Sequence, residues 1–451
     1  MSRQTQAHFI RSIGRWALTG LAINTIVGSG IFGIPGELNR LLGRASPLAM
    51  VLAALAMVFI VVPTMEVGSQ FSEPGGAYLY ARTAFGRFAR LQVGWLSLLS
   101  VIASDGANAS LFIIYLSGFF PAAGHGWLRG FFMALLIGIP AAVNYRGVRG
   151  GAGLSSFLVV AKLLPLAILI AVGLAYFRHH FPSIHFADVS LPSGRTWLSA
   201  LLLTAFSYQG FEGALYPAGE VKDPRRTIPF ALFASSLTVM CFYTLVQLTV
   251  VAAIGTSTSS RPVADAALVL LGGWGAVLIG IGVMFSTGGH ISSMMLQVPR
   301  LAYSLAAKGE FPHFLARLHP RYYTPSTAIV GYALLVWIFA VSGGFLWTLL
   351  LASGAKMIIY ISICAALIRL RRLRPNADAL RVPFGPAFAV AGIVVSLAIV
   401  TQLHRSGVLL LALTAFVAAA NWWFTKSVPE EPAGIRQVDG FTRKFGEKLS
   451  E

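Results

Sequence analysis

Among the side chains able to carry a charge, five stand out inside long apolar runs: Asp105, Lys162, Glu212, His290 and Lys356. An ionised group at mid-bilayer costs at least about 2.5 kcal/mol on insertion scales, so each is a candidate for function. What they offer is ion and proton chemistry rather than bond cleavage. Lys162, in VVAKLLPLAIL, could load and release a proton as its surroundings change. Glu212 could be protonated, or could accept hydrogen bonds from loose backbone N–H groups. Asp105, in IASDGANAS, could select a cationic side chain. If it instead pairs with Lys356, in LASGAKMIIY, that preference disappears, because buried charges usually pair. The four buried Asp, Glu and Lys residues sum to zero formal charge, which favours a neutral ligand. His290, in FSTGGHISSMM, could contact a ligand or titrate near neutral pH. A lone buried histidine is more often a satisfied structural residue, and His290 is weighted so.

The elements that must position these groups are membrane helices. The chain has 451 residues, 56% hydrophobic and 11% charged, with a mean hydropathy of +0.73. A soluble chain carries roughly a quarter charged residues. Apolar runs recur near 17–42, 46–70, 91–120, 127–144, 152–177, 197–219, 228–254, 272–305, 326–341, 345–368, 386–404 and 407–425. The expectation is an all-α integral membrane protein with twelve transmembrane helices. With the N-terminus in the cytoplasm, and with Arg40, Arg129 and Arg300 near span ends counted in the adjoining segments, the inside segments hold 25 Lys and Arg and the outside segments 7. The formal charge of +18 is therefore read as the positive-inside bias and contact with anionic lipid, not as a nucleic-acid surface. The basic N-terminus leads into an apolar run too long for a signal peptide, so the first span is retained. Cys241 and Cys364 both lie in apolar runs and give neither a disulfide framework nor metal spacing. Glu66 and Glu73, at the end of span 2 and in its loop, read as loop ion pairs.

Two of the spans are weakened in the middle. Residues 24–37 read NTIVGSGIFGIPGE, and residues 204–220 read TAFSYQGFEGALYPAGE. A helix-interior glycine costs about 1 kcal/mol relative to alanine. Unwound backbone at mid-membrane is tolerated only where it lines a cavity. There, the start of a second half-helix offers N–H donors and a positive dipole end to a carboxylate, while unwound carbonyls suit an ammonium. Both together describe a zwitterion site. Small residues also permit close helix packing. One interrupted span leaves these readings even, but the second lies five spans after the first, the signature of an inverted-repeat transporter.

Four ordered stretches carry a family resemblance: GSGIFGIPG at 28–36, EVGSQFSEPGGAYLYARTAFG at 66–86, GFEGALYPAGEVKDPRRTIP at 210–229 and PRLAYSLAAKGEFP at 299–312. In these the chain resembles the amino acid–polyamine–organocation transporter superfamily, over spans 1–10. The resemblance implies a five-plus-five inverted repeat with discontinuous helices 1 and 6, two extra C-terminal helices, and alternating access to one amino acid site. It implies that the substrate carboxylate meets the hydroxyl and N–H of Ser29 and the N–H of Gly30. The ammonium would meet the carbonyls of Ile26, Phe206 and Gln209. Phe206 would cover the substrate as an outer gate, and Gly28, Asp105 and Asn108 complete the set. Lys162 matches the span-5 lysine that replaces a sodium ion in sodium-independent relatives. Its ammonium would reach carbonyls near Gly28 and the hydroxyls of Ser286 or Thr287. Lys162 and Glu212 are thus the candidates for proton coupling.

The expected organisation is a cytoplasmic segment 1–16, a first repeat 17–177, an outer loop 178–196, a second repeat 197–368, spans 11 and 12 within 369–425, and a cytoplasmic tail 426–451. The expected function is secondary transport of an L-amino acid across the cytoplasmic membrane, as a proton-coupled symporter or a substrate exchanger, with a neutral substrate favoured. The alternative is a cationic amino acid or polyamine antiporter. Cofactors are expected to be none, apart from protons as a coupling ion. No disulfide-linked heavy chain is expected, because the loop PAAGHGWLRG has no cysteine, and a homodimer is left open. An embedded enzyme would need a pattern such as HExxH or GxSxG in the spans, and none occurs. A channel is opposed by a zwitterion pocket under a bulky aromatic.

Overall fold

In hydrocarbon every backbone N–H and C=O must find a partner within the chain, and the α-helix achieves this segment by segment. A computed structural model describes residues 13–71, 75–147, 152–180, 192–215, 218–375 and 379–425, with backbone alone for 152–161, 177–180 and 219. The tail from 426, most of the 178–196 loop, Glu73 and Pro217 lie outside the described residues. Apart from one parallel bridge between Ile13 and Val221, the described residues form helices and connections.

The helices follow the twelve expected spans. Span 1 is split into α1 (Arg15–Ile26) and α2 (Gly30–Leu42), followed by α3 (Ser46–Ser69) as span 2. After a short helix α4 (Gly76–Phe85) come α5 (Arg87–Leu116), α6 (Gly126–Arg146) and α7 (Ala152–His180) as spans 3–5. Span 6 is α8 (Gly194–Tyr208), continued by two 3-10 turns, Phe211–Leu215 and Ala218–Glu220. Span 7 is α9 (Pro224–Ile254), then a short helix α10 (Pro262–Leu271), then span 8 as α11 (Gly273–Ala307). Spans 9 and 10 are run together as α12 (Ser326–Leu373), broken at Gly344 (φ 66°, ψ −177°). Spans 11 and 12 are α13 (Gly385–Val400) and α14 (Arg405–Thr425). On length and apolarity alone, seven stretches among the described residues qualify as membrane spans. Two of those stretches contain more than one span; the helices of spans 6 and 11 fall short of the length, and in span 5, the 29-residue α7, side chains are described only over 162–176.

Helices α4 and α10 were expected only as connections. Each is ten residues long, too short to cross a bilayer, and they hold matching places in the two repeats. The second half of span 6 also departs from a continued half-helix. Gly210 and Gly213 lie there, and glycine is a poor helix former, so the chain advances in 3-10 turns.

A large apolar core joins spans 1, 2, 6, 7 and 10, and a second joins spans 3, 4, 8 and 9 through Ile102, Met133, Ile291, Tyr332 and Val336. Polar side chains bridge helices where apolar contact alone gives no preference between lipid and protein. Gln247 on α9 donates to Asn39 Oδ1 and Ser46 Oγ, each at 2.9 Å, and so ties spans 1, 2 and 7. Glu66, as expected, makes an ion pair: Arg371 meets it with two nitrogens at 2.7 Å, and the Val382 N–H adds a bond at 3.0 Å. Arg90 and Glu310 form a second buried ion pair.

Candidate functional site

The span-1 break occupies Val27, Gly28 and Ser29. α1 ends at Ile26, Val27 takes an extended conformation (φ −74°, ψ 93°), and α2 restarts at Gly30. The break therefore leaves carbonyls on one side and N–H groups on the other. Lys162 takes the carbonyl side: its Nζ donates to the Asn24 oxygen at 2.6 Å and to the Val27 oxygen at 2.7 Å. Those two carbonyls lose their helical partners at the break, and the ammonium supplies the missing hydrogens. The hydroxyls of Ser286 and Thr287 take no bond from it. Thr287 donates instead to the Val283 oxygen of its own helix at 2.8 Å, and Ser286 Oγ is buried without a partner.

The glycines of the opening motif divide between two tasks. A Cβ on Gly28 would meet nothing nearer than 4.0 Å, so this residue belongs to the break. A Cβ on Gly30 would stand 2.7 Å from Ser207 Oγ, and Cβ atoms on Gly33 and Gly36 would collide with Phe345 and with the Ser259 carbonyl. These three glycines let α2 pack closely, so both readings of the motif hold, at different positions.

The span-6 break is built differently. Gln209 ends α8 in extended backbone, and Gly210 follows with φ 104°. Its Cα faces the Thr25 carbonyl so closely that a Cβ would overlap it, which brings the two breaks into direct contact. Glu212 lies one step on: its Oε2 accepts the Gly210 N–H at 3.1 Å and the Tyr360 hydroxyl at 2.9 Å, while its Oε1 is paired with Lys356. Lys356 therefore pairs with Glu212 and not with Asp105. Asp105 is fully buried, accepts the Tyr332 hydroxyl at 2.7 Å and has His290 Nε2 at 3.4 Å. His290 thus has an acidic partner.

The residues set for substrate contact fall into two groups. Around the breaks, Ser29 is buried with a hydroxyl that has no partner, as is Ser207 opposite Gly30. The Ile26 carbonyl accepts Tyr243 Oη at 3.2 Å and the Phe206 carbonyl accepts the Gln209 N–H at 3.3 Å, each keeping a second lone pair for a further donor. The Gln209 side chain donates to Ser353 Oγ at 3.0 Å, and Phe206 is half-buried at the edge of the core. On span 3, Asn108 donates to the Ser104 carbonyl at 2.8 Å and leaves its own buried Oδ1 unpartnered. Ser207, Tyr243, Ser353, Tyr332 and Tyr360 were not singled out from the sequence. Tyr360 was legible, because it lies one helical turn beyond Lys356 on the same face.

This geometry, two touching helix breaks that present N–H and C=O groups at mid-span, defines a membrane carrier of the inverted-repeat class. The comparisons agree. The sequence profile of the family "Amino acid permease" matches residues 13–427, and the chain belongs to that family. It is 26% identical over 402 residues to the serine/threonine exchanger SteT of Bacillus subtilis, covering 84% of this chain and 88% of that protein. It is 26% identical over 398 residues to the branched-chain amino acid permease BcaP of the same organism, covering 81% and 82%. An arginine/agmatine antiporter of Chlamydia pneumoniae is 24% identical over 417 residues, covering 86% and 84%. Among solved structures, MhsT in complex with L-phenylalanine superimposes with a TM-score of 0.57 at 13% identity, over 91% of this chain and all of that one. The fold is thus the five-plus-five inverted repeat with two further helices, in a multi-pass membrane protein, and amino acid transport is the activity that fits it.

Proposed function

We propose that the chain is a secondary carrier of a neutral L-amino acid, working by alternating access in the cytoplasmic membrane with both termini inside, as a proton-coupled symporter or a substrate exchanger. The observation that carries this reading is the contact between the two breaks at Thr25 and Gly210, with the unpartnered hydroxyls of Ser29 and Ser207 beside it. A zwitterion there meets the free N–H groups at the start of α2 with its carboxylate. Its ammonium meets the carbonyls that end α1 and α8. Neutrality is supported by the pairing of Glu212 with Lys356; Asp105 accepts the Tyr332 hydroxyl on one oxygen, while its other oxygen has no hydrogen-bond partner and lies 3.4 Å from His290 Nε2. Lys162 fills, by family resemblance, the place of a sodium ion, which supports sodium independence and makes it the first candidate for moving a proton.

The test is a screen of the twenty amino acids and the common polyamines by uptake into liposomes and by thermal shift, at two pH values. A neutral amino acid should saturate uptake and drive counterflow. Ser29→Leu should insert and fold but lose that binding entirely. Intact transport by this variant removes the pocket assignment, and a response confined to arginine or polyamines replaces the neutral substrate with a cationic one.

A further inference from the structure

The inverted repeat places each element of the first half opposite one of the second. Span 5 corresponds to span 10. Lys162 lies about three turns into span 5, and Lys356 lies about three turns into span 10, counted from the break at Gly344. The two lysines therefore hold equivalent positions. Each also reaches the interrupted helix of its own repeat. Lys162 satisfies the carbonyls of the span-1 break directly, at Asn24 and Val27. Lys356 acts through Glu212, whose carboxylate holds the Gly210 N–H of the span-6 break. The family resemblance accounts for the first lysine and leaves the second unexplained.

We infer that Lys356, Glu212 and Tyr360 are the second repeat's counterpart of the Lys162 tie: a positioning unit that fixes the span-6 break in its substrate-ready form, so that the carrier has one internal ammonium per broken helix. The polarity differs for a simple reason. At the span-1 break the groups needing a partner are carbonyls, which an ammonium can bond. At Gly210 it is an N–H, which needs an acceptor, so a carboxylate is interposed and the lysine balances its charge. Leaving either member alone buries an uncompensated charge, whereas removing both leaves a neutral side chain still able to accept the Gly210 N–H. Tyr360 completes the unit: it donates to the oxygen that holds Gly210, and its ring stacks on Phe211 with centroids 5.3 Å apart. These side chains touch the hinge and not the substrate, so their loss falls on the rate of the conformational cycle.

The inference rests on the carrier reading, and its test has two independent readouts. The variants are Lys356→Met, Glu212→Gln, the double variant Glu212→Gln/Lys356→Met, and Lys162→Met with and without Glu212→Gln. Counterflow of an equimolar radiolabelled mixture of the twenty L-amino acids is measured in liposomes, with maximal rate and apparent KM separated. Lys356→Met should lower the maximal rate about tenfold or more with little change in KM, and the double variant should recover a third or more of the wild-type rate, as expected for a coupled buried pair. Glu212→Gln should not rescue Lys162→Met. Thermal unfolding in detergent reads the same pair without transport: the melting temperature should fall in Lys356→Met and return in the double variant. An unaltered maximal rate in Lys356→Met, or a double variant as slow as Lys356→Met although its melting temperature has returned, overturns the positioning role. Absence of coupling in the melting temperatures overturns the pair itself. A wild-type protein without counterflow overturns the carrier reading instead, and the positioning role with it.

Discussion

Spans 1 and 6 interrupt the membrane at matching places and manage the interruption in different ways. Span 1 breaks over three residues and resumes as the thirteen-residue α2. Span 6 breaks at a glycine in the left-handed region and resumes, among the described residues, as 3-10 turns. The first break has a direct ammonium tie, the second a carboxylate with a lysine behind it. Topology and helix register are duplicated between the halves, but the side chains are chosen by whichever backbone group each break leaves open. The halves also meet each other. Asp105 and His290 each lie about five turns into their helices, α5 and α11, the third long helix of each repeat. Equivalent residues of two inverted copies can touch only near the axis that relates them, and these two are 3.4 Å apart.

The largest expected difference between the breaks lies at their glycines. Gly28 has open space around a Cβ, whereas Gly210 combines φ 104° with the Thr25 carbonyl against its Cα. Gly210→Ala should cost at least about 2 kcal/mol of stability, from left-handed strain plus the backbone clash. Gly28→Ala should leave thermal unfolding near the wild type. Equal losses in the two variants would mean that the breaks are not built differently after all.

Next in size is the pair on the axis. If Asp105 serves the contact between the repeats, Asp105→Asn should slow uptake of every transported amino acid alike, by roughly fivefold, about the worth of one weakened hydrogen bond to a charged group. Uptake assays over neutral and cationic substrates check this. A loss confined to cationic substrates would return Asp105 to the substrate pocket and take it away from the axis.

Much of this was legible before any coordinates. The two interruptions and the twelve spans follow from glycine placement and run length, and the reach of Lys162 to carbonyls of span 1 is implied by the family resemblance. Other features were hidden because they depend on which helix faces which. On sequence grounds the partner considered for Lys356 is Asp105. The register of α12 decides for Glu212, with Tyr360 one turn further along the same face. Tyr332 reaches Asp105 from span 9, and nothing in its local sequence sets it apart from an interfacial tyrosine. Helices α4 and α10 were missed because ten residues make neither a span nor a long amphipathic pattern.

The smallest expected difference, that between two matching corners, is the sharpest check on equivalence of the halves. Gly86 closes α4 and opens α5 with φ 83° and ψ −167°, and Gly272 closes α10 and opens α11 with φ 74° and ψ −168°. At each, the N–H donates back to the short helix: Gly86 to the Arg82 oxygen at 2.8 Å and Gly272 to the Leu268 oxygen at 2.9 Å. Neither would meet another atom within 4 Å on gaining a Cβ, so alanine brings strain there without a clash. That region of backbone space is open almost only to glycine, and forcing another residue into it costs roughly 1–3 kcal/mol. Gly86→Ala and Gly272→Ala should therefore lower the melting temperature by similar amounts, and the double variant by their sum, since the two sites share no partner. If one variant loses much more than the other, the corner it turns bears a load that its counterpart does not, and the likeness of the two repeats would then hold for backbone shape without extending to energy.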